Sequence, residues 1–260
     1  MDSIFAAGVL ERIAESDSLL AFDFDGTLAP IVDDPARPAM RPSTRHLLAQ
    51  AAQSYPCAVI SGRPEEDLLH LLDGVTVWYV IGNRALLPPD EIEKLSRQVR
   101  VWLQTLTTRL APFTEVSIED KGVSLALHFR CAAEHDRAHT AIVDAATRLE
   151  NARIIEGKEV VNLLPAGGPN KSSALVRLCA QLRCGTTLYV GDDRTDEDVF
   201  ALGGELVGVR VGAPVEESAA RYWLRDQAEV DELLERLIDL RGRRKRRSAD
   251  SRRPARKREE

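Results

Sequence analysis

Short apolar runs alternate with segments of helical periodicity in the first third of the chain. The runs LLAFDF, CAVISGR and VTVWYVIGN have the length of strands, and the segments 41–53 and 64–74 between them have proline at their start and an apolar stripe. Continuous apolar strands separated by helices are typical of a parallel sheet that is covered on both faces. The pattern predicts the beginning of a doubly wound α/β domain.

A different pattern follows residue 83. A long amphipathic segment precedes two alternating runs that flank an Asp-Lys-Gly turn at Gly122, and a second amphipathic segment precedes another pair of runs that turns at Gly157. This order, in which each of two helices is followed by a hairpin, predicts a separate α+β domain. We expect this domain to be inserted at residues 84–165.

The parallel-sheet pattern returns after this insertion. The segment 171–182 is amphipathic, the runs TTLYVGDD and ELVGVRVG have the length of strands, and 228–240 predicts a last helix. We therefore predict one core domain, formed by residues 1–83 and 166–240 together.

Composition narrows the class of protein. Apolar residues make up 44% of the chain and charged residues 29%, and no apolar stretch approaches the ~20 residues of a membrane span, so we expect no membrane partner. The four cysteines lack the spacing of a zinc site or a disulfide scaffold. We therefore expect reduced thiols and a location in the cytoplasm. We also expect a monomer.

The net charge of −6 hides an asymmetry. Residues 241–260 carry 11 Lys/Arg and 3 Asp/Glu, whereas residues 1–240 carry 24 and 38. A segment so charged, with no apolar residue larger than alanine or proline, predicts a disordered basic tail. Contact of this tail with nucleic acid or another anionic partner stays open, but a solvated tail is favoured.

Polar residues follow the strands of the predicted parallel sheet. Because ligands bind beyond the carboxyl ends of such strands, these residues define a candidate site. Its members are Asp23, Asp25, Gly26 and Thr27 after the first strand, Ser61, Gly62 and Arg63 after the second, Lys171 at a helix start, and Asp192, Asp193 and Asp196 after a later strand.

The candidate site predicts phosphoryl transfer. Crowded carboxylates need a cation, and oxygen ligands favour Mg²⁺. Ser61, Lys171 and the loop amides after Asp25 suit a phosphate group. Asp23 would then attack phosphorus, and Asp25 would protonate the leaving oxygen and activate water. Each motif alone is more typical of a turn or a solvated helix start, and only their combination favours chemistry.

At these residues the chain resembles the haloacid-dehalogenase-type phosphatases, and among them the trehalose-6-phosphate phosphatases. The similar blocks are DFDGTLAPIVDDP, SGRP, EDKGVSLALHFR and GDDRTDEDVF. The resemblance implies a Rossmann-like core, an inserted cap, Mg²⁺ and hydrolysis of trehalose 6-phosphate in trehalose biosynthesis. A small sugar phosphate is the partner that it implies.

The resemblance also implies individual roles. Asp23 becomes the nucleophile and Asp25 the acid and base, while Ser61 and Lys171 become phosphate ligands. Asp192 becomes a metal ligand with Asp23 and the Asp25 carbonyl, supported by Asp193 or Asp196. Lys121 and Arg130 lie in the cap segment that the family turns toward the sugar.

The chain departs from the family pattern in the cap and beside it. Arg84, Ala85, Asn162 and Leu164 replace a histidine, a glycine, a glutamate and an arginine that the family usually carries. Buried polar groups discriminate strongly between sugars, so the substrate stays open. Another sugar phosphate or a glycosyl-glycerate phosphate is one alternative. A non-enzymatic sugar-phosphate-binding protein with a basic tether is the other.

Overall fold

The protein is described by a computed structural model that covers residues 1–6, 8–32, 38–83, 87–157 and 159–251, the last four by their backbone only. Within these ranges the strands form two sheets, one parallel and one antiparallel. Arg84 and Ala85, two of the departures from the family pattern, lie outside the described residues.

The parallel sheet contains seven strands among the described residues, in the order β1-β11-β10-β9-β2-β3-β4. Their residues are Asp2–Ser3 (β1), Ser18–Phe22 (β2), Cys57–Ile60 (β3), Tyr79–Ile81 (β4), Thr186–Gly191 (β9), Leu206–Val211 (β10) and Tyr222–Leu224 (β11). Every residue of β2, β3 and β9 is buried, as expected for strands covered on both faces.

Helices pack on both faces of this sheet. They are Val9–Glu15 (α1), Pro42–Ala51 (α2), Glu65–Leu72 (α3), Lys171–Leu182 (α6), Glu197–Phe200 (α7) and Gln227–Ser251 (α8). Asn170 precedes α6 and forms a capping box with Ser173. The Asn170 side chain accepts from the Ser173 N–H, and the Ser173 hydroxyl accepts from the Asn170 N–H. Helix α6 ends at Arg183, which adopts a left-handed conformation.

The strand order creates a switch point at the centre of the sheet. The chain passes from β2 outward through β3 to β4, and returns on the other side of β2 through β9 to β10 and β11. Loops that leave the carboxyl ends of β2 and β9 therefore diverge in opposite directions. A crevice between such loops is where open parallel sheets bind ligands.

The antiparallel sheet belongs to the insertion. Its order is β5-β6-β8-β7, with strands Ser117–Asp120 (β5), Leu125–His128 (β6), Ala152–Gly157 (β7) and Val160–Pro165 (β8). Helices α4, Pro89–Arg109, and α5, His135–Thr147, cover one face and share with it a core that includes Trp102, Leu127 and Ile142. The predicted fold class, an α/β core with an inserted α+β cap, is confirmed.

The predicted core strands all lie in 1–83 and 166–240, and the cap strands lie in 84–165. The exact domain boundaries stay predictions. Strands β1 and β11 were not predicted, because two or three residues give no periodicity to detect.

The prediction of a disordered tail from residue 241 is wrong for its first part, since α8 continues to Ser251. Arg241 is buried, its guanidinium lies 4.2 Å from the centre of the Tyr55 ring, and it donates to the Ala14 and Ser16 carbonyls at 2.9 Å. A long arginine stem can cover apolar surface, which composition alone does not reveal. Residues 252–260 lie outside the described residues.

Across the described ranges, the helices all lack the combination of length and apolar character that a membrane span requires.

The buried arginine at the start of the tail predicts a change in stability. Arg241→Ala should lower the free energy of unfolding by about 2 kcal/mol, because it removes the two 2.9 Å hydrogen bonds to the Ala14 and Ser16 carbonyls and exposes the Tyr55 ring. Urea denaturation measures the change. Arg243→Ala, which removes an exposed arginine two residues away, is the control, and an equal loss in both variants would contradict the packing of Arg241.

Candidate active site

Asp23 lies directly beyond the carboxyl end of the central strand β2. Its backbone N–H continues the ladder to β9 by donating to the Val190 carbonyl at 2.9 Å. The residue is 4% exposed, and its Oδ2 lies 2.8 Å from the Lys171 Nζ. The sheet therefore holds a carboxylate in a buried position beside a single ammonium group.

The loop after Asp23 explains the Gly-Thr pair in the sequence. Gly26 has a φ of +81°, and a Cβ atom there would lie 2.0 Å from Asp192 Oδ2. The buried Thr27 hydroxyl donates to Asp192 Oδ1 at 3.1 Å. Glycine thus makes room for the Asp192 carboxylate, and threonine fixes its position.

Lys171 joins the two halves of the site. It is the first residue of α6, and its Nζ lies 2.8 Å from Asp196 Oδ1 and 3.7 Å from Asp193 Oδ1, in addition to Asp23. Burial disfavours the ammonium, but the three carboxylates outweigh it and raise the pKa of Lys171 well above its usual value. Lys171 therefore stays charged.

Asp196 is held by four donors and has no exposed surface. Its Oδ1 accepts from Lys171 and from the Tyr189 hydroxyl at 2.7 Å, and its Oδ2 accepts from the backbone N–H groups of Asp192 and Asp193 at 2.9 and 3.0 Å. The carboxylate therefore shapes the loop that presents Asp192 and Asp193.

The carboxylates outnumber the cation beside them. Burial raises the pKa of Asp23 well above its usual value, and its acidic neighbours raise it further against the effect of Lys171. Burial, with Asp193 and Asp196, raises the pKa of Asp192 to about 7. Such shifts show negative charge that one ammonium does not balance.

This excess of negative charge fits a bound cation. Asp23, Asp193 and Asp196 each offer an oxygen atom, and these three atoms lie within 4.8 Å of one another. Carboxylate oxygens are ligands for hard divalent ions. Of the predicted metal ligands, this set contains Asp23, Asp193 and Asp196 but not Asp192.

Asp25 and Arg63 form a second pair at the edge of the site. Arg63 donates from Nε to Asp25 Oδ2 at 2.5 Å and from Nη2 to Oδ1 at 2.8 Å. Ser61, which follows β3 and is buried, accepts from the Arg63 N–H at 3.3 Å. A bidentate contact thus joins the loop after β2, which carries Asp25, to the loop after β3, which carries Arg63.

A cavity lies between the parallel sheet and the cap. The core contributes Ser61, Gly62, Asn83 and Lys171 among others, and the cap contributes Lys121, Asn162 and Leu164 among others. The Asn83 amide donates to the Lys121 carbonyl, so the two domains touch at its rim.

Arg130 is not one of the described residues that line this cavity. It lies two residues beyond the end of β6 and donates from Nε to Glu159 Oε2 at 2.9 Å. Of the two cap residues implied by the resemblance, the structure thus brings Lys121 alone to the cavity.

Two contacts of the site were not predicted. Arg153 in β7 forms two hydrogen bonds to the Asp198 carboxylate, at 2.5 and 2.7 Å, and so ties the cap to the core. Tyr189 supports Asp196 from within β9. Asp198 stands in the acidic run after β9, but its partner lies 45 residues away and has no motif to mark it.

Comparison with known proteins gives a family. The model of the trehalose-phosphatase family matches residues 21–86 and 89–223. Trehalose 6-phosphate phosphatase RA3 of Zea mays is 27% identical over 254 residues, which cover 86% of this chain and 70% of the maize protein. A trehalose-phosphate phosphatase of Mycobacterium bovis (strain BCG / Pasteur 1173P2) is 31% identical over 261 residues, 91% of this chain and 65% of that protein.

Solved structures share the fold. The C-terminal domain of Candida albicans trehalose-6-phosphate phosphatase superposes with a TM-score of 0.69 at 21% identity, over 92% of this chain and 99% of that one. A trehalose-6-phosphate phosphatase related protein gives 0.67 at 20%, over 87% and 99%. These structures confirm the predicted fold, a parallel-sheet core with an inserted cap.

The environment of Asp196 predicts a large loss of stability on its neutralisation. Asp196→Asn should lower the free energy of unfolding by at least about 3 kcal/mol, because it breaks a buried ion pair and places an amide N–H₂ among donors. Guanidinium denaturation measures it. The exposed Asp193→Asn serves as control and should cost less than about 1 kcal/mol. Equal costs would contradict the structural role of Asp196.

Proposed function

Because the chain belongs to the trehalose-phosphatase family, we propose that it hydrolyses trehalose 6-phosphate to trehalose and inorganic phosphate. Family membership makes it a phosphatase, a phosphoric monoester hydrolase of trehalose biosynthesis. The contact of Lys171 with Asp23, at 2.8 Å beside the cavity between core and cap, is the observation that carries the proposal.

Asp23 is the proposed nucleophile. One carboxylate oxygen attacks phosphorus, the ester P–O bond breaks, and an aspartyl phosphate forms while the sugar oxygen takes a proton from Asp25. Asp25 then removes a proton from water, which attacks phosphorus, cleaves the aspartyl phosphate and releases inorganic phosphate. Burial raises the pKa of Asp23, and Lys171 at 2.8 Å acts in the opposite direction and favours the ionised carboxylate that the attack requires.

Arg63 orients Asp25 in this proposal. Its two hydrogen bonds hold the carboxylate in one plane. Because Asp25 must donate a proton during the first step, the approach of the phosphate group has to draw Arg63 away from it. Arg63 and Gly62 follow Ser61, and together this turn and Lys171 are the proposed phosphate ligands, with the N–H group of Thr27. The Gly26 N–H is less suitable, because it donates to the Ala29 carbonyl at 2.7 Å.

A divalent cation completes the proposed chemistry, and Mg²⁺ is the ion we propose. Asp23, the Asp25 carbonyl and Asp192 would hold it, supported by Asp193. Asp196 is the less suitable ligand, since both its oxygens already accept two hydrogen bonds. When bound, the ion neutralises charge on the phosphoryl oxygens.

The cap is the proposed sugar-binding element. Lys121, Ser124 and Asn162 are the polar residues of the cap that line the cavity, next to Leu164. Leu164 stands where the family carries a longer polar residue, which favours as second candidate a different sugar phosphate or a glycosyl-glycerate phosphate. Asp198 also lines the cavity, and its ion pair with Arg153 joins the core to the cap there.

The four cysteines are free, among them the buried Cys57, and we propose the reducing cytoplasm as the compartment. Existence as a monomer stays a prediction.

Removal of the nucleophile predicts a loss of turnover with retained fold. Asp23→Asn should lower kcat for trehalose 6-phosphate by at least about 10³-fold, which corresponds to about 4 kcal/mol of activation free energy. Phosphate release measures it. Asp17→Asn, at the other end of β2, is the matched control and should leave kcat unchanged. Full activity of Asp23→Asn would exclude the aspartyl phosphate.

Chelation and a substrate panel test the metal and the sugar. EDTA should abolish phosphate release and added Mg²⁺ should restore it, since the carboxylates alone repel a phosphate dianion. Rates for trehalose 6-phosphate, glucose 6-phosphate and a mannosyl-glycerate phosphate are compared under saturating Mg²⁺. Equal rates of phosphate release with and without EDTA would contradict the proposed metal. Faster release from another ester than from trehalose 6-phosphate would make that ester the proposed substrate.

A further inference from the structure

A second cavity lies at the amino-terminal ends of the strands of the parallel sheet, opposite the candidate active site. Its volume is about 720 Å³, within the range of small-molecule sites. Asp17 and Ser18 at the start of β2 line it, as do Pro56 before β3 and Trp78 before β4. The end of α6 and the last turns of α8 complete the wall.

The charge of this basic cavity is strongly positive. It is lined by Arg183, Arg241, Arg244 and Lys245, against the single carboxylate of Asp17. Within the described part of the chain, none of these four cations forms an ion pair with an acidic side chain. The cavity therefore has at least two positive charges in excess, which favours a multiply charged anion.

The partners of these cations are neutral. Arg244 Nη1 lies 3.3 and 3.5 Å from the Ala14 and Ser16 carbonyls, distances at the long end of a hydrogen bond. Lys245 Nζ donates to the Ser54 hydroxyl at 3.2 Å. These contacts orient the side chains and leave their charge uncompensated. Arg241 is buried below them, and its Nε is without a hydrogen-bond acceptor among the described residues.

An aromatic ring forms the apolar part of the cavity. Trp78 is 58% exposed, which is unusual for so large an apolar side chain. Its indole N–H donates to the Ala52 carbonyl at 3.1 Å, so one edge of the ring is fixed. Pro56 and Leu182 lie in the same wall. A fixed, exposed indole beside cations suits a planar ring that carries anionic groups.

We propose that the basic cavity binds a nucleoside polyphosphate. The base stacks on Trp78, and the phosphate groups lie among Arg183, Arg244 and Lys245. A single phosphate would leave part of this charge unpaired, whereas a di- or triphosphate matches it. The binding is separate from hydrolysis, since Asp17 and Asp23 lie at opposite ends of β2.

Calorimetric titration of the full-length protein with ATP in EDTA tests the proposal. We expect one molecule of ATP per chain with a Kd below about 1 mM, and at least about fivefold weaker binding of tripolyphosphate or adenosine, since each lacks either the stacked base or the phosphate groups. Asp23→Asn should bind ATP with unchanged affinity. Tighter binding by Asp23→Asn than by the wild type would place ATP in the acidic site and overturn the proposal.

Variants of the cavity separate its two parts. Trp78→Leu should weaken ATP binding about fivefold or more and leave tripolyphosphate binding unchanged. Arg183→Asn, which keeps a residue that tolerates the left-handed conformation, and Lys245→Gln should each weaken both ligands about tenfold. Thermal unfolding checks that each variant is folded.

The matched control is Arg243→Gln. Arg243 is exposed on the same helix but does not line the cavity, so its loss should change the affinity for ATP by less than twofold. Equal weakening by Arg243→Gln and Lys245→Gln would show general attraction to a basic helix and would overturn the proposal. An unchanged affinity in Trp78→Leu would overturn the stacking of the base.

Discussion

The ion pair between Lys171 and its carboxylate partners is the interaction on which the site depends. Removing an ammonium and two carboxylates from water costs several kcal/mol per ion, and this cost is offset only where geometry and hydrogen bonds are complete. Asp196 meets that condition with four donors, and Asp23 meets it in part. Burial nevertheless raises the pKa of Asp23, Asp192 and Asp196, so the negative charge of the cluster exceeds what Lys171 balances.

Sheet topology explains why such a costly cluster can form. Strands β2 and β9 are neighbours and parallel, so their carboxyl ends reach the same edge although 164 residues separate Phe22 from Thr186 along the chain. The capping box at Asn170 fixes the start of α6 and so aims Lys171 between them. The cost of burying these charges is offset because three rigid elements, β2, β9 and α6, hold the side chains in place before any ligand binds.

Much of this arrangement could be predicted from the sequence. Strand-length apolar runs followed by polar groups identified Asp23, Ser61 and Asp192, because parallel strands place their carboxyl ends together. The amphipathic segment 171–182 identified Lys171 as the start of a helix. The strand β11 was missed because three residues show no periodicity. The burial of Arg241 was missed because charge composition does not reveal stacking on Tyr55. Likewise, the contact of Arg153 with Asp198 depends on how the two sheets meet, which no local pattern contains.

Helix α6 connects the two edges of the sheet. Its first residue, Lys171, lies among the carboxylates, and the residue after its end, Arg183, lines the basic cavity. Twelve helical residues span about 18 Å, more than a Debye length at physiological ionic strength, so the two charged regions do not neutralise each other through solvent. One rigid helix thus separates a negative edge from a positive one. This separation lets a single sheet carry regions of opposite charge at the two ends of its strands.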